Sequence, residues 1–129
     1  MEEALILTCK DFGVPAQRIC KLTGVWTYAG GSIPEKKIAA IGVHVSQAVT
    51  SHGFALNVTT DLRDFALIVP CGITDKPVTS LELESPLNPL PTFQDVANHA
   101  AAKFGHVFQR QVLAVNSLEE LLALDPAVA

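Results

Sequence analysis

The chain of 129 residues has only three cysteines, at positions 9, 20 and 71, and no two of them form a C-x-x-C pair. A structural zinc site needs closely spaced thiolate or imidazole ligands, so this spacing argues against one. An odd, widely spaced set also argues against a secreted disulfide scaffold and fits a reducing compartment. Charge is scarce as well: 17% of residues are charged, the net charge is −4 and the pI is near 5.4. No cluster of Lys and Arg is present to neutralise a run of phosphates, which argues against a nucleic-acid footprint. The opening "MEEALILTCKDFG" starts with two glutamates and lacks the basic region of a signal peptide. No apolar run approaches the ~18 residues of a membrane span. There is no P-loop, no internal repeat and no low-complexity tract. The expectation is a cytoplasmic protein that binds neither nucleic acid nor membrane and holds no structural zinc.

Hydrophobic residues make up 49% of the chain, enough for a real core, and the length suits one domain spanning 1–129. Residues 3–12 predict a helix with an acidic start, stopped by Gly13 and Pro15. Val25–Tyr28 and Lys36–Val45 predict two strands joined through "AGGS" as a loose hairpin. "GFALNVTT", residues 53–60, predicts another strand, with Phe54, Leu56 and Val58 at period two. Asp61 is placed to cap a short helical turn, and Thr79 or Ser80 to cap another over 78–84. After the proline-rich elbow "SPLNPLPT", Thr92 caps a helix over 93–109. Its apolar stripe is Phe93, Val96, Ala97, Ala100, Ala101, Phe104 and Phe108. Ser117 and Glu120 make a capping box for a last short helix. The mixture reads as α+β.

Chemistry centres on "IVPCGITDKPVTSL", residues 68–81. Pro70 lacks an N–H and fixes φ, and Gly72 lets a substrate approach the backbone. Cys71 between them is placed as a nucleophile would be, with following N–H groups able to face an oxyanion. A buried, inert thiol is the competing reading, because free cysteines usually pack as small hydrophobes. A nucleophilic thiol needs a cation to favour its thiolate, and Lys36, Lys37, Lys76 and Arg63 are the candidates. On a regular strand Lys36 shares a face with Ile38, Ala40 and Gly42, and Lys37 with Ala39, Ile41 and Val43. Both faces are apolar, so the pattern does not choose between them. His52 is the best-placed imidazole for a Cys/His pair. His44 reads as an exposed or half-buried strand residue, and His99 and His106 as surface residues. Ser51, His52 and Asp61 make a poor triad, because adjacent strand residues face opposite ways.

Residues 36–81 contain K-I-A-A-I-G, H-G-x-A-L-N-V, D-L-x-x-F, I-x-P-C-G-I and V-T-S-L in that order, and "LTGVW" precedes them. This set resembles the lipoyl(octanoyl) transferases of lipoate biosynthesis over roughly residues 1–110. The resemblance implies a mixed sheet flanked by helices, like that of biotin and lipoate protein ligases. It implies Cys71 as the acyl-thioester nucleophile and Lys37 as the lysine that lowers the Cys71 pKa. It further implies substrate contacts from Ala40, Ile41 and Gly42 and from Gly53, Phe54 and Ala55. The implied donor is octanoyl-acyl-carrier protein, whose acyl group arrives already activated, so the resemblance implies no metal, nucleotide or other cofactor. The implied acceptors are lipoyl domains of 2-oxoacid dehydrogenases and the glycine cleavage H protein. The family's earlier segment of the type R-G-G-x-x-T-Y-H-G-P-G-Q is absent from this sequence. The expectation is therefore a C-terminal portion of such an enzyme, incomplete at its N-terminus. An inactive fragment, a lipoyl-domain binding module and a lipoate or biotin protein ligase relative are the alternatives.

Overall fold

The computed structural model describes residues 1–68 and 76–124. Helix α1, Glu2–Asp11, has Glu2 and Glu3 in its first turn and Lys10 in its last, the charge order that the helix dipole favours. Its buried residues Ala4, Leu5, Thr8 and Cys9 form one stripe. The chain leaves the helix at Gly13, φ 75°, whose N–H donates to the Lys10 carbonyl while that of Val14 donates to Cys9. A Cβ at Gly13 would stand 2.9 Å from the ring of Pro86, so the glycine serves both the turn and the packing.

Four antiparallel strands follow: β1 Ala16–Ile19, β2 Leu22–Thr27, β3 Lys37–Ser46 and β4 Val49–Leu56, in the order β1-β2-β3-β4. The expected β2–β3 hairpin is present. The third strand of the sequence reading, expected over 53–60, instead starts at Val49 and ends at Leu56. The cause is a two-residue turn at Gln47 and Ala48, both with positive φ, which pairs Ser46 with Val49. β1 was not expected.

The β2–β3 ladder is irregular. Val25 pairs with Ala39, but Trp26 pairs with Lys37, so β3 carries one extra residue, Ile38. Such a bulge breaks the alternation of side chains along the bulged strand. Val25 and Ala39 lie in the main core with Leu5, Cys9, Phe12 and Val14, and with Val96 of helix α3, Phe93–Phe108. Trp26 is fully buried but stands outside that core, on the other side of β2.

α3 begins as expected. Thr92 accepts from the Asp95 N–H, and the Asp95 carboxylate accepts from the Thr92 N–H, forming a reciprocal capping box. Its stripe is only partly covered. Val96 and Ala100 are buried, whereas Phe93 is 73% exposed and Phe108 46%. Between the stripe and β4 lies an apolar recess of about 490 Å³, lined by Phe54, Leu56, Val58 and Phe104 among others.

Asp61 caps a 3-10 segment, Leu62–Leu67, by accepting from the Arg63 N–H. Helix α2 is a single turn, Leu81–Glu84. Ser80 holds its N-cap position, but neither expected cap forms: the Ser80 hydroxyl finds no partner among the described residues, and Thr79 donates to Glu84 instead. Helix α4 is Leu118–Ala123. There Ser117 accepts from Glu120 N–H, and the Glu120 carboxylate takes the N–H of Asn116 rather than completing the box on Ser117. Among the described residues no helix is long and apolar enough to cross a membrane.

Candidate active site

Cys71, with Pro70 and Gly72, lies outside the described residues. The site is therefore built from the groups around Lys37. This residue is held through its backbone: its N–H donates to the Pro77 carbonyl at 2.8 Å and its carbonyl accepts from Thr79 N–H at 2.8 Å. These bonds pair Lys37 with Val78 in a parallel bridge, on the side opposite to its pairing with Trp26.

Lys37 is 5% exposed, and its Nζ lies 5.1 Å from the centroid of the Trp26 ring. The indole is itself fixed, because its Nε1–H donates to the Leu22 carbonyl at 3.2 Å. An ammonium over an indole face is attracted by the ring's quadrupole, most strongly where water is excluded. That contact uses none of the three N–H donors. Among the described residues Lys37 Nζ has no hydrogen-bond partner. Burial of an ammonium without an anion is costly.

The other three candidate cations are occupied. Lys36 Nζ is 2.8 Å from Glu84, Lys76 Nζ is 2.9 Å from Glu35, and Arg63 pairs with Asp61. Burial raises the Glu84 carboxyl, but hydrogen bonds from Lys36 and Thr79, together with the Lys36 charge, hold it below its ordinary range. Of the two lysines that the sequence pattern left open, Lys36 thus has a carboxylate partner and Lys37 has none among the described residues.

The bulge corrects the expected sharing of faces. Lys37 does not share a face with Ala39, Ile41 and Val43. It lies against Trp26 and Gly24, on the opposite side from the Val25–Ala39 pair. Alternation beyond the bulge then puts Ala40 and Gly42 on the Lys37 side and Ile41 on the helix side. The two expected substrate segments meet directly across the β3–β4 ladder: Ala40 opposite Ala55, Ile41 opposite Phe54, and Gly42 opposite Gly53. Ala40, Gly42, Gly53 and Ala55 form a low, partly to fully exposed stripe, and a Cβ built at either glycine meets nothing within 4 Å. Ile41 and Phe54 point the other way, toward α3.

The remaining candidates are elsewhere. His52 is exposed, with φ 68°, opposite Val43 near the hairpin end. His44 and His106 are exposed, as expected. His99 has a partner that no spacing on its own helix revealed: its Nδ1 is 2.9 Å from the Asp11 carboxylate of α1. Cys9 is buried, and burial pushes its thiol up to about 12, so it is no nucleophile; Cys20 is exposed. No group of three or more metal-ligating side chains occurs among the described residues. Trp26 was missed as a site residue; its place in "LTGVW" gave no hint that its ring would lie against a lysine eleven positions later.

Among the described residues, an antiparallel sheet with α1 and α3 on one face and one buried lysine on the other defines an α+β domain, with its candidate chemistry beside β2 and β3. Residues 1–105 match the family model described as "Lipoyl protein ligase A/B catalytic domain", and the chain belongs to that family. It is 64% identical over 122 residues to an octanoyltransferase of Acidobacterium capsulatum, covering 95% of this chain and 50% of that protein. It is 56% identical over 122 residues to an octanoyltransferase of Koribacter versatilis, covering 95% and 47%. It is 48% identical over 118 residues to one of Solibacter usitatus, covering 92% and 49%. The chain spans about half the length of these curated relatives.

Proposed function

We propose that the protein is an octanoyltransferase that carries the acyl group on Cys71. The observation that carries this reading is Lys37: a buried ammonium, without a partner among the described residues, in a family whose members include named octanoyltransferases. A thiolate is the kind of anion such a group would stabilise, and the Cys71 proton would be lost more readily beside it. Val78, to which the Lys37 backbone is bridged, follows Cys71 by seven positions in the sequence.

The Cys71 thiolate attacks the thioester carbonyl of octanoyl-acyl-carrier protein. The carrier's sulfur leaves as a thiolate and takes a proton, and the octanoyl group becomes a thioester of Cys71. A lysine amine of a lipoyl domain, in a 2-oxoacid dehydrogenase or the glycine cleavage H protein, then attacks that thioester. An amide forms, the amine gives up a proton, and the Cys71 thiolate is restored beside the Lys37 ammonium. The stripe of Ala40, Gly42, Gly53 and Ala55 offers low ground for an extended acyl chain, with Ile41 packed against the core behind it and Phe54 lining the recess toward α3.

Incubating the full-length protein with octanoyl-acyl-carrier protein should add one octanoyl mass, released by hydroxylamine. A Cys71→Ser protein that still acquires the hydroxylamine-sensitive adduct would remove Cys71 from the mechanism. The family description also names ligases, which favours one second reading: activation of free octanoate. Octanoylation of a lipoyl domain from free octanoate, dependent on ATP, would support that reading and contradict the first.

A further inference from the structure

We infer that Gly24 is a positioning residue, whose missing side chain forms the slot that aims the Lys37 ammonium; this rests on the reading of Lys37 given above. Gly24 lies on β2 two residues before Trp26, so both face the same side of the sheet. A Cβ built there would stand 2.7 Å from Lys37 Cε, 3.5 Å from Lys37 Nζ and 2.7 Å from the Ala39 carbonyl oxygen. The first contact is with the lysine stem and the last is with backbone that has no freedom to yield. Gly24 also has φ 128°, a conformation that L side chains rarely adopt.

The glycine is held in place from outside the sheet. Its N–H donates to Glu2 Oε1 at 3.0 Å, and the Glu2 carboxylate is in turn paired with Arg18 at 3.3 Å. The first turn of α1 thereby fixes the floor of the slot, and the Trp26 ring, tied to Leu22, fixes its wall. The lysine stem runs between them. With four methylenes it has many rotamers in solution; here the space admits few. A methyl at position 24 removes the space the stem now fills, and the ammonium must leave its place over Trp26.

Two readouts separate this placement from its chemical use. Trp26 is the single tryptophan of the sequence, so emission assigned to it reports whether the ammonium sits over its ring. Lys37→Met should shift that emission, and Gly24→Ala should shift it in the same direction. The second readout is alkylation of Cys71 by iodoacetamide, followed by peptide mass spectrometry across pH. Cys9 is buried with a raised pKa and stays unreactive in the folded protein, and Cys20 falls on a different peptide. Lys37→Ala should move the alkylation midpoint up by about one pH unit, roughly a tenfold loss of thiolate near neutrality. Gly24→Ala should move it equally, and the double variant no further than Lys37→Ala alone.

If Gly24→Ala leaves Trp26 emission and the alkylation midpoint unchanged while Lys37→Ala moves both, the slot is wrong and the role of Lys37 stands. If Lys37→Ala does not move the alkylation midpoint, the role of Lys37 fails, and the emission shift of Gly24→Ala still tests the slot. A general structural effect of Gly24→Ala would appear undiminished in the Lys37→Ala background and would contradict the proposal. Should Gly24→Ala fail to fold, Trp26→Phe tests the wall instead: it keeps an aromatic face without the bond to Leu22, and the proposal requires an upward midpoint shift that vanishes in the Lys37→Ala background.

Discussion

Lys37 and Ala39, two positions apart on one strand, leave the sheet by opposite faces. The extra residue between them, Ile38, is fully buried and makes this possible. One consequence is that an ammonium sits beside the open small-residue stripe while the next two residues of the strand belong to the core. Bulges recur next to active sites because they re-aim a single side chain without dismantling the sheet.

Among the described residues the buried Lys37 ammonium has no anion, so it should cost stability at any pH where the Cys71 thiol is protonated. Replacing Lys37 with Met keeps the length of the stem and removes the charge. At pH 6, below the ordinary thiol range, the full-length Lys37→Met protein should be more stable to urea by about 1 kcal/mol or more, while transferring octanoyl more slowly near neutrality. A lower midpoint at that pH would mean that the ammonium is compensated by an anion other than the thiolate, and its role would then be structural.

The stripe beside Lys37 should tolerate bulk in the fold but not in the reaction. A Cβ at Gly53 meets nothing within 4 Å, and this glycine needs no positive φ. Gly53→Val should therefore change unfolding free energy by no more than about 0.5 kcal/mol. It should raise the KM for octanoyl-acyl-carrier protein or shift preference toward shorter acyl chains. Unchanged kinetics with all chain lengths would remove the stripe from the acyl site.

The two helices are tied by charge as well as by packing. His99 Nδ1 and Lys103 Nζ of α3 each lie 2.9 Å from the same Asp11 oxygen of α1. Hydrogen bonds from His99 first, and then Lys103, hold the Asp11 carboxyl below its ordinary value of 3.8. A lowered native pKa gives stability that is present above the unfolded pKa and lost as pH falls through the native one. Asp11→Asn should thus lower the urea midpoint at pH 7, and the difference from wild type should shrink as pH falls below 3.8. An Asp11→Asn deficit that stays constant from neutral to strongly acid pH would show that the carboxylate charge does not act there.

The elements that sequence revealed are those whose signals are local. Thr92 and Asp95 cap α3 with each other, Gly13 ends α1 where it must, and the β2–β3 strands show their β-branched and aromatic residues. Features set by distant parts of the chain were not legible. "AQRI" is four residues long without clean alternation, and becomes β1 only because it pairs with β2. Gln47-Ala48 lacks the glycine or asparagine that usually marks a two-residue turn. The Ile38 bulge depends on how Trp26 registers against Lys37, which strand periodicity cannot reveal. For the site, the family resemblance named Lys37 where pattern could not. The structure pairs Lys36, Lys76 and Arg63 with Glu84, Glu35 and Asp61, a set of long-range and local contacts that the strand pattern does not reveal. The apolar stripe of α3 was legible as a stripe, but its burial depends on what packs against it, and Phe93 remains exposed.

The central claim is that Lys37 makes Cys71 a competent acyl acceptor at neutral pH. Its most direct test is the pH dependence of single-turnover acylation of the full-length protein by octanoyl-acyl-carrier protein, wild type against Lys37→Ala. The account predicts slower acylation in the variant near pH 7, recovering toward the wild-type rate as pH rises through the ordinary thiol range of about 8.5. Coincident rates and pH profiles for the two proteins would contradict it.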